Sequence, residues 1–75
     1  MLPCRIVLVR TEIAANIGSV ARIMRNFDAG DLVLVQPIAD PMAEAARQLA
    51  THHGFPILEK ARVVADLQTA LHGCV

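Results

Sequence analysis

Within Ala14-Ala15-Asn16-Ile17-Gly18-Ser19-Val20-Ala21-Arg22, a carboxamide, a glycine, a hydroxyl and a guanidinium fall inside seven residues, Asn16 to Arg22. The chemistry such a set can do is recognition of an oxyanion. Free amides at the start of a helix form an anion site, and an adjacent guanidinium adds two-pronged phosphate recognition. Arg25 and Asn26 follow Arg22 at three and four residues, so they join it on the polar face of a helix. Gly18 lies one turn before Arg22, and its missing side chain leaves room for an approach to the backbone. Each residue also has a plainer reading: Arg22 as a solvated helix arginine, Asn16 as an N-cap whose side-chain oxygen takes an orphan amide.

Other constellations are absent. There is no Gly-Lys-Ser/Thr phosphate loop and no triple-glycine dinucleotide fingerprint, which disfavours a flavodoxin-type nucleotide fold. His52 and His53 are adjacent, about 100° apart on a helix, and do not make a metal pair; we expect no metal site. Glu12 has no carboxylate or histidine near it in sequence. The two aromatic residues, Phe27 and Phe55, leave little for stacking on bases.

Two apolar runs, Ile6–Val9 and Leu32–Val35, bracket the Asn16–Arg22 stretch and must position it. Their residues are consecutive rather than alternating, as in parallel strands covered on both faces. The pattern predicts strands at 5–9 and 32–36, a polar loop at 10–16 and a helix at 17–27. In that helix Ile17, Val20, Ala21, Met24 and Phe27 form one apolar stripe. Strand, helix, strand makes a βαβ unit, and ligands in such sheets bind at the carboxyl ends of the strands. Asp40-Pro41 reads as N-cap and first position of a second helix running to about His53, with Gly54 as its C′ residue. Phe55-Pro56-Ile57-Leu58 reads as a short extended piece and candidate third strand. For the rest, two readings stand: one helix over 60–72, or an extended Arg62-Val63-Val64 followed by a helix capped by Asp66 and ended by Gly73. The second gives both Asp66 and Gly73 a role.

Composition sets the outer limits. Seventy-five residues make one small domain or a piece of a larger one. The apolar share of 55% exceeds the usual roughly 45–50%, which suggests buried strands and surface meant for a partner. Seven basic and seven acidic residues cancel, so no global basic signature is present. Arg5, Arg10, Arg22 and Arg25 nevertheless cluster in the first third, where Glu12 is the sole acid before Asp28. Cys4 and Cys74 lie at opposite ends without metal spacing and read as free thiols. No run reaches the ~18 apolar residues of a membrane span, and the start lacks a signal-peptide layout. We therefore expect a cytoplasmic protein.

Taken together, Arg5-Ile6-Val7-Leu8-Val9, Asn16-Ile17-Gly18-Ser19-Val20-Ala21-Arg22, Asn26-Phe27 and Leu32-Val33-Leu34-Val35-Gln36-Pro37 resemble the opening of the SpoU-type RNA 2′-O-ribose methyltransferases. These belong to the SPOUT group, with its trefoil-knotted α/β fold. The segments Ile57–Val64 and Leu67–Leu71 are similar to this family as well, and the likeness is greatest to the branch that methylates the tRNA anticodon loop. The resemblance implies an α/β parallel sheet with flanking helices, the N-terminal half of an α/β-knot domain. It implies methyl transfer from S-adenosylmethionine to a ribose 2′-hydroxyl of tRNA or rRNA by a homodimer. It places Asn16 and Arg22 in the catalytic site, with Arg22 activating or orienting the hydroxyl, and makes Arg25, Gly18, Ser19 and Arg10 the RNA-contacting candidates. Ala14 and Ala15 stand where the family usually has Pro or Gly before the Asn, and Asp28 stands where it usually has Gly. The second and third family motifs, which build the knot and the cofactor pocket, are missing from residues 1–75. We therefore expect a partial domain, inactive alone, in which Cys74-Val75 begins a further strand. The competing expectation is a non-enzymatic α/β module that binds an anion or partner at the Asn16–Arg22 turn and self-associates.

Overall fold

Three parallel strands, β1 (Arg5–Val9), β2 (Asp31–Val35) and β3 (Arg62–Val64), stand in the order β1-β2-β3. The computed structural model describes residues 5–73. Arg5 is in register with Asp31 and Val9 with Val35; Val33 pairs with Arg62 and Val35 with Val64. The central strand carries the core: Leu32, Val33, Leu34 and Val35 are all buried. Alternation sends Leu32 and Leu34 to one face, against Ile17, Ala21, Met24, Ala46, Ala50, Ile57 and Leu58. Val33 and Val35 face the other way, against Ala70, Val7 and Val64.

Helix α1 spans Ala14–Asn26 and α2 spans Glu44–Lys60; together they form the first layer. The short α3 (Leu67–Leu71) lies on the second face through Ala70. The parallel α/β architecture with flanking helices is thus as the consecutive apolar runs require. The second reading of the last segment is also borne out. Residues 62–64 are extended, the Asp66 carboxylate caps α3 by accepting from the Thr69 amide at 2.6 Å, and Gly73 follows at φ 85°. That amide hydrogen bond holds the Asp66 pKa below the ordinary carboxylate value.

Several boundaries differ from expectation. α1 begins at Ala14, capped by Ile13 with no side-chain hydrogen bond. Asn16 is therefore not the N-cap; it is the third helical residue, its own amide donating to the Ile13 carbonyl at 3.0 Å. The two alanines, good helix formers, extend the helix back through the predicted loop. Phe27 falls just past the helix end and leaves the apolar stripe, 64% exposed. Asp28 takes φ 58°, a left-handed conformation that a short polar side chain tolerates better than most. β2 ends at Val35 because Gln36 turns to φ 44°.

The second helix departs most. Asp40 does not cap it: Asp40 Oδ1 accepts from the Met42 amide at 2.9 Å in a separate turn, and α2 starts at Glu44. The helix also does not end at Gly54. It breaks at Thr51 (φ 63°, ψ −178°) and restarts, carrying Phe55–Leu58 as helix to Lys60. The predicted extended piece at 55–58 is therefore absent, because the Thr51 hydroxyl accepts from the His53 amide and caps a fresh helical turn. Pro56 sits inside this second helical segment, five residues past Thr51. Cys4 and the expected strand start at Cys74-Val75 lie outside the described residues.

Candidate active site

At the carboxyl ends of the sheet, the loops after β1 and β2 are laced together. The Arg10 amide donates to the Val35 carbonyl at 2.8 Å, and the Ile38 and Ala39 amides both donate to the Thr11 carbonyl at 3.0 Å. Arg10 itself turns to φ 52° and its Nη1 reaches Gln36 Oε1 at 3.4 Å. α1 leaves this rim directly, so its first turn lies beside the carboxyl ends of the strands.

The six candidates do not form one cluster. Asn16 and Arg22 are exposed, as are Arg10 and Arg25; Ser19 is half-buried and Gly18 is buried. At about 100° and 1.5 Å per residue, Asn16 and Arg22 stand about 120° apart around α1 and about 9 Å apart along it. Asn16 and Ser19 share the outer face of α1 with Ile23 and Phe27, which are 54% and 64% exposed. Gly18 and Arg22 share a different row, the one turned toward α2. The space that Gly18 clears is already filled: a Cβ there would stand 2.0 Å from the Ala46 carbonyl oxygen. Gly18 is thus no open approach to the backbone; α2 itself takes that approach.

Arg22 makes no hydrogen bond or ion pair among the described residues, so its guanidinium donors are uncommitted there. Arg5 behaves differently. At the opposite end of the sheet its Nε holds Asp31 Oδ2 at 2.8 Å, its Nη1 donates to the Ala70 and His72 carbonyls, and Arg62 Nη2 holds Asp31 Oδ1 at 2.9 Å. The Arg5 hydrogen bond, reinforced by Arg62 and opposed by partial burial, keeps the Asp31 pKa below its ordinary value. This cluster fastens β1, β2, β3 and α3 together and is remote from the strand carboxyl ends. Of the four arginines clustered in the sequence, Arg5 therefore serves the fold, while Arg10, Arg22 and Arg25 stand exposed.

The profile of the SpoU rRNA Methylase family matches residues 3–75. The chain belongs to that family. Over 70 residues it is 44% identical to the tRNA (cytidine/uridine/adenosine-2′-O-)-methyltransferase TrmJ of Pseudomonas aeruginosa, covering 93% of this chain and 26% of that protein. It is 43% identical over 70 residues to the tRNA (cytidine/uridine-2′-O-)-methyltransferase TrmJ of Sodalis glossinidius, with 93% and 27% covered. Among solved structures, TrmJ from Z. mobilis ZM4 superposes with a TM-score of 0.87 at 34% identity, over 99% of this chain and 32% of that one. A probable methylase family protein from Haemophilus influenzae Rd KW20 gives 0.82 at 36%, over 89% and 28%. The chain thus spans about a quarter of the length of these curated methyltransferases, and its α/β layer is the one found in these SpoU-family structures.

Sequence reasoning missed two features of this SpoU-family chain. One is Gly54, read as a helix terminator but buried inside α2 against the backbone of Ala21 and Arg22. The other is a surface groove at the α2 break, lined by Arg47, Gln48, Thr51, His52 and Phe55. The signal available for the first was the spacing Ala46, Ala50, Gly54, a four-residue repeat of small side chains that suits close helix packing.

Proposed function

We propose that these residues are the amino-terminal part of an S-adenosylmethionine-dependent tRNA 2′-O-ribose methyltransferase that works as a cytoplasmic homodimer. The observation that carries the reading is an exposed, unpartnered guanidinium at Arg22, on the helix that leaves the first strand's carboxyl end, in a chain of this family. The tRNA substrate rests on the relatives, whose names specify 2′-O-methylation of tRNA at cytidine and uridine and, for the Pseudomonas protein, adenosine.

In this reading Arg22 binds and orients the ribose 2′-hydroxyl or its neighbouring phosphate. An arginine stays charged, its pKa above ~12, so it acts by polarising and positioning rather than as a free base. Asn16 shapes the first helical turn beside the site, with Ser19 on the same face. Arg25 and Arg10 supply cationic contacts to RNA phosphate. Gly18 contributes through packing rather than by touching RNA. S-adenosylmethionine supplies the methyl group, and residues beyond this segment hold it. Ile23 on the outer face of α1 and Phe27 just past its end, both exposed, support a partner subunit on that side.

The test is transfer of labelled methyl from S-adenosylmethionine to bulk tRNA by the full-length protein. Arg22→Ala is expected to lower kcat by about a hundredfold, the scale of a lost positioned group, and residues 1–75 alone are expected to be inactive. Wild-type rates from R22A, or no transfer by the full-length protein, refute the reading. A discrete folded oligomer of residues 1–75 that binds an anion or a partner would favour the non-enzymatic module instead.

A further inference from the structure

We propose that Gly54 is a positioning residue for Arg22: the helix-to-helix contact it makes sets where the guanidinium stands. The proposal rests on the reading of Arg22 above. Gly54 lies in the first turn after the Thr51 break and is buried. A Cβ built on it would stand 2.9 Å from both Arg22 Cα and Arg22 N, and 3.1 Å from the Ala21 carbonyl carbon. Those are backbone atoms of a helix, so no side chain can swing aside. Ordinary contact begins at 3.4 Å, so α1 would have to retreat by about 0.5 Å at Arg22 itself.

Conformation does not explain the glycine. Gly73 is the only described glycine at positive φ, and inside a helix glycine is the poorer choice next to alanine. What remains is space, and that space is aimed at Arg22. The Arg22 side chain is exposed and makes no hydrogen bond or ion pair among the described residues. Nothing beyond its own backbone therefore directs it, and the wall behind that backbone is Gly54. Gly18 against Ala46 backs the same row one turn earlier. The α2 backbone thus sits on the Gly18–Arg22 row at two points, leaving the guanidinium to project past the edge of the contact.

The experiment is a double-mutant cycle in the full-length protein, reading kcat and KM for tRNA methylation for wild type, Gly54→Ala, Arg22→Lys and the double variant. Ala70→Gly, in the core on the other face of the sheet, controls for lost stability. G54A is expected to lower kcat on the order of tenfold, as misplacement of a reacting group does, with KM for S-adenosylmethionine within about twofold. In the R22K background the same substitution is expected to change kcat by less than about twofold, because a residue acting through Arg22 has nothing left to position. Ala70→Gly is expected to keep the wild-type kcat. A folded G54A with wild-type kcat, or a G54A factor carried over in full on R22K, overturns the proposal. If R22K itself has wild-type kcat, the reading of Arg22 fails instead. Assays run in trimethylamine N-oxide, which favours the folded state. Should G54A stay insoluble, Ala50→Gly, which loosens the buried α1–α2 cluster beside it, takes its place. It is expected to lower kcat in wild type and not in R22K, and equal effects in both backgrounds overturn the proposal.

Discussion

Replacing Gly18 with alanine inverts the usual sign of a glycine-to-alanine change in a helix. At an exposed helical position that change stabilises by about 1 kcal/mol. Here the added Cβ would stand 2.0 Å from the Ala46 carbonyl oxygen and 2.8 Å from its carbonyl carbon. Reaching ordinary contact at 3.4 Å requires α1 and α2 to part by about 1.4 Å at this point. That opens the packing of Ile17, Ala21, Ala46 and Ala50, all with no exposed surface. Overpacking a tight core costs about 1–3 kcal/mol, and a clash with backbone belongs at the upper end. Set against the gain in helix propensity, the net expectation is a loss of about 2 kcal/mol. For a protein of 150–250 residues or somewhat more this lowers Tm by about 4–8 °C. The assay is thermal unfolding of full-length wild type and G18A, followed by circular dichroism. A G18A protein as stable as wild type, or more so, would refute the close crossing of α1 and α2 and with it the account of Gly54.

Two further outcomes follow from the surface and the ion cluster. Because folding lowers the Asp31 pKa, its contribution is full above the unfolded-state pKa and disappears as pH falls through the folded-state pKa. Asp31→Asn should therefore cost about 1 kcal/mol at neutral pH, a modest figure because the carboxylate is 40% exposed and screened; denaturant midpoints of the two proteins should converge in acid, and a gap that widens there would contradict the ion cluster. Phe27→Glu should change unfolding free energy by no more than about 0.5 kcal/mol, as an exposed position allows, and, under the proposed homodimer, sedimentation should show weakened self-association; a loss of several kcal/mol would return Phe27 to the core.

The sheet was legible because parallel strands are written as unbroken apolar runs, and Ile6–Val9 and Leu32–Val35 have no other use. β3 and α3 were legible because Asp66 and Gly73 carry local signals that need no partner. Of the candidate site residues, Arg22 and Asn16 lie on the helix that follows β1, as their sequence spacing requires. One misreading depends on a second element, and the others on where a helix begins or ends. Asn16 carries the chemistry of a cap, but the cap position is decided by where Ala14 and Ala15 let the helix begin. Gly18 reads as open space until α2 is laid upon it. Phe55–Leu58 reads as an extended piece after Gly54, and only the positive φ of Thr51 with its hydroxyl cap starts a fresh helix that carries it. Phe27 completes an apolar period, but the helix ends one residue too soon to carry it inward.

The parallel register also sets a timetable during synthesis. Arg5 pairs with Asp31, so β1 waits for 26 further residues before any strand can accept it. Gly18 waits until Ala46 has been made, and Arg22 until Gly54. At about 5–20 residues per second, β1 emerges from the ribosome seconds before its neighbour. The backing of Arg22 is thus among the later contacts to form in this layer, after the sheet's first pair already exists. Until then the face of α1 that α2 covers stays open, and a pause in translation ahead of Gly54 prolongs that interval.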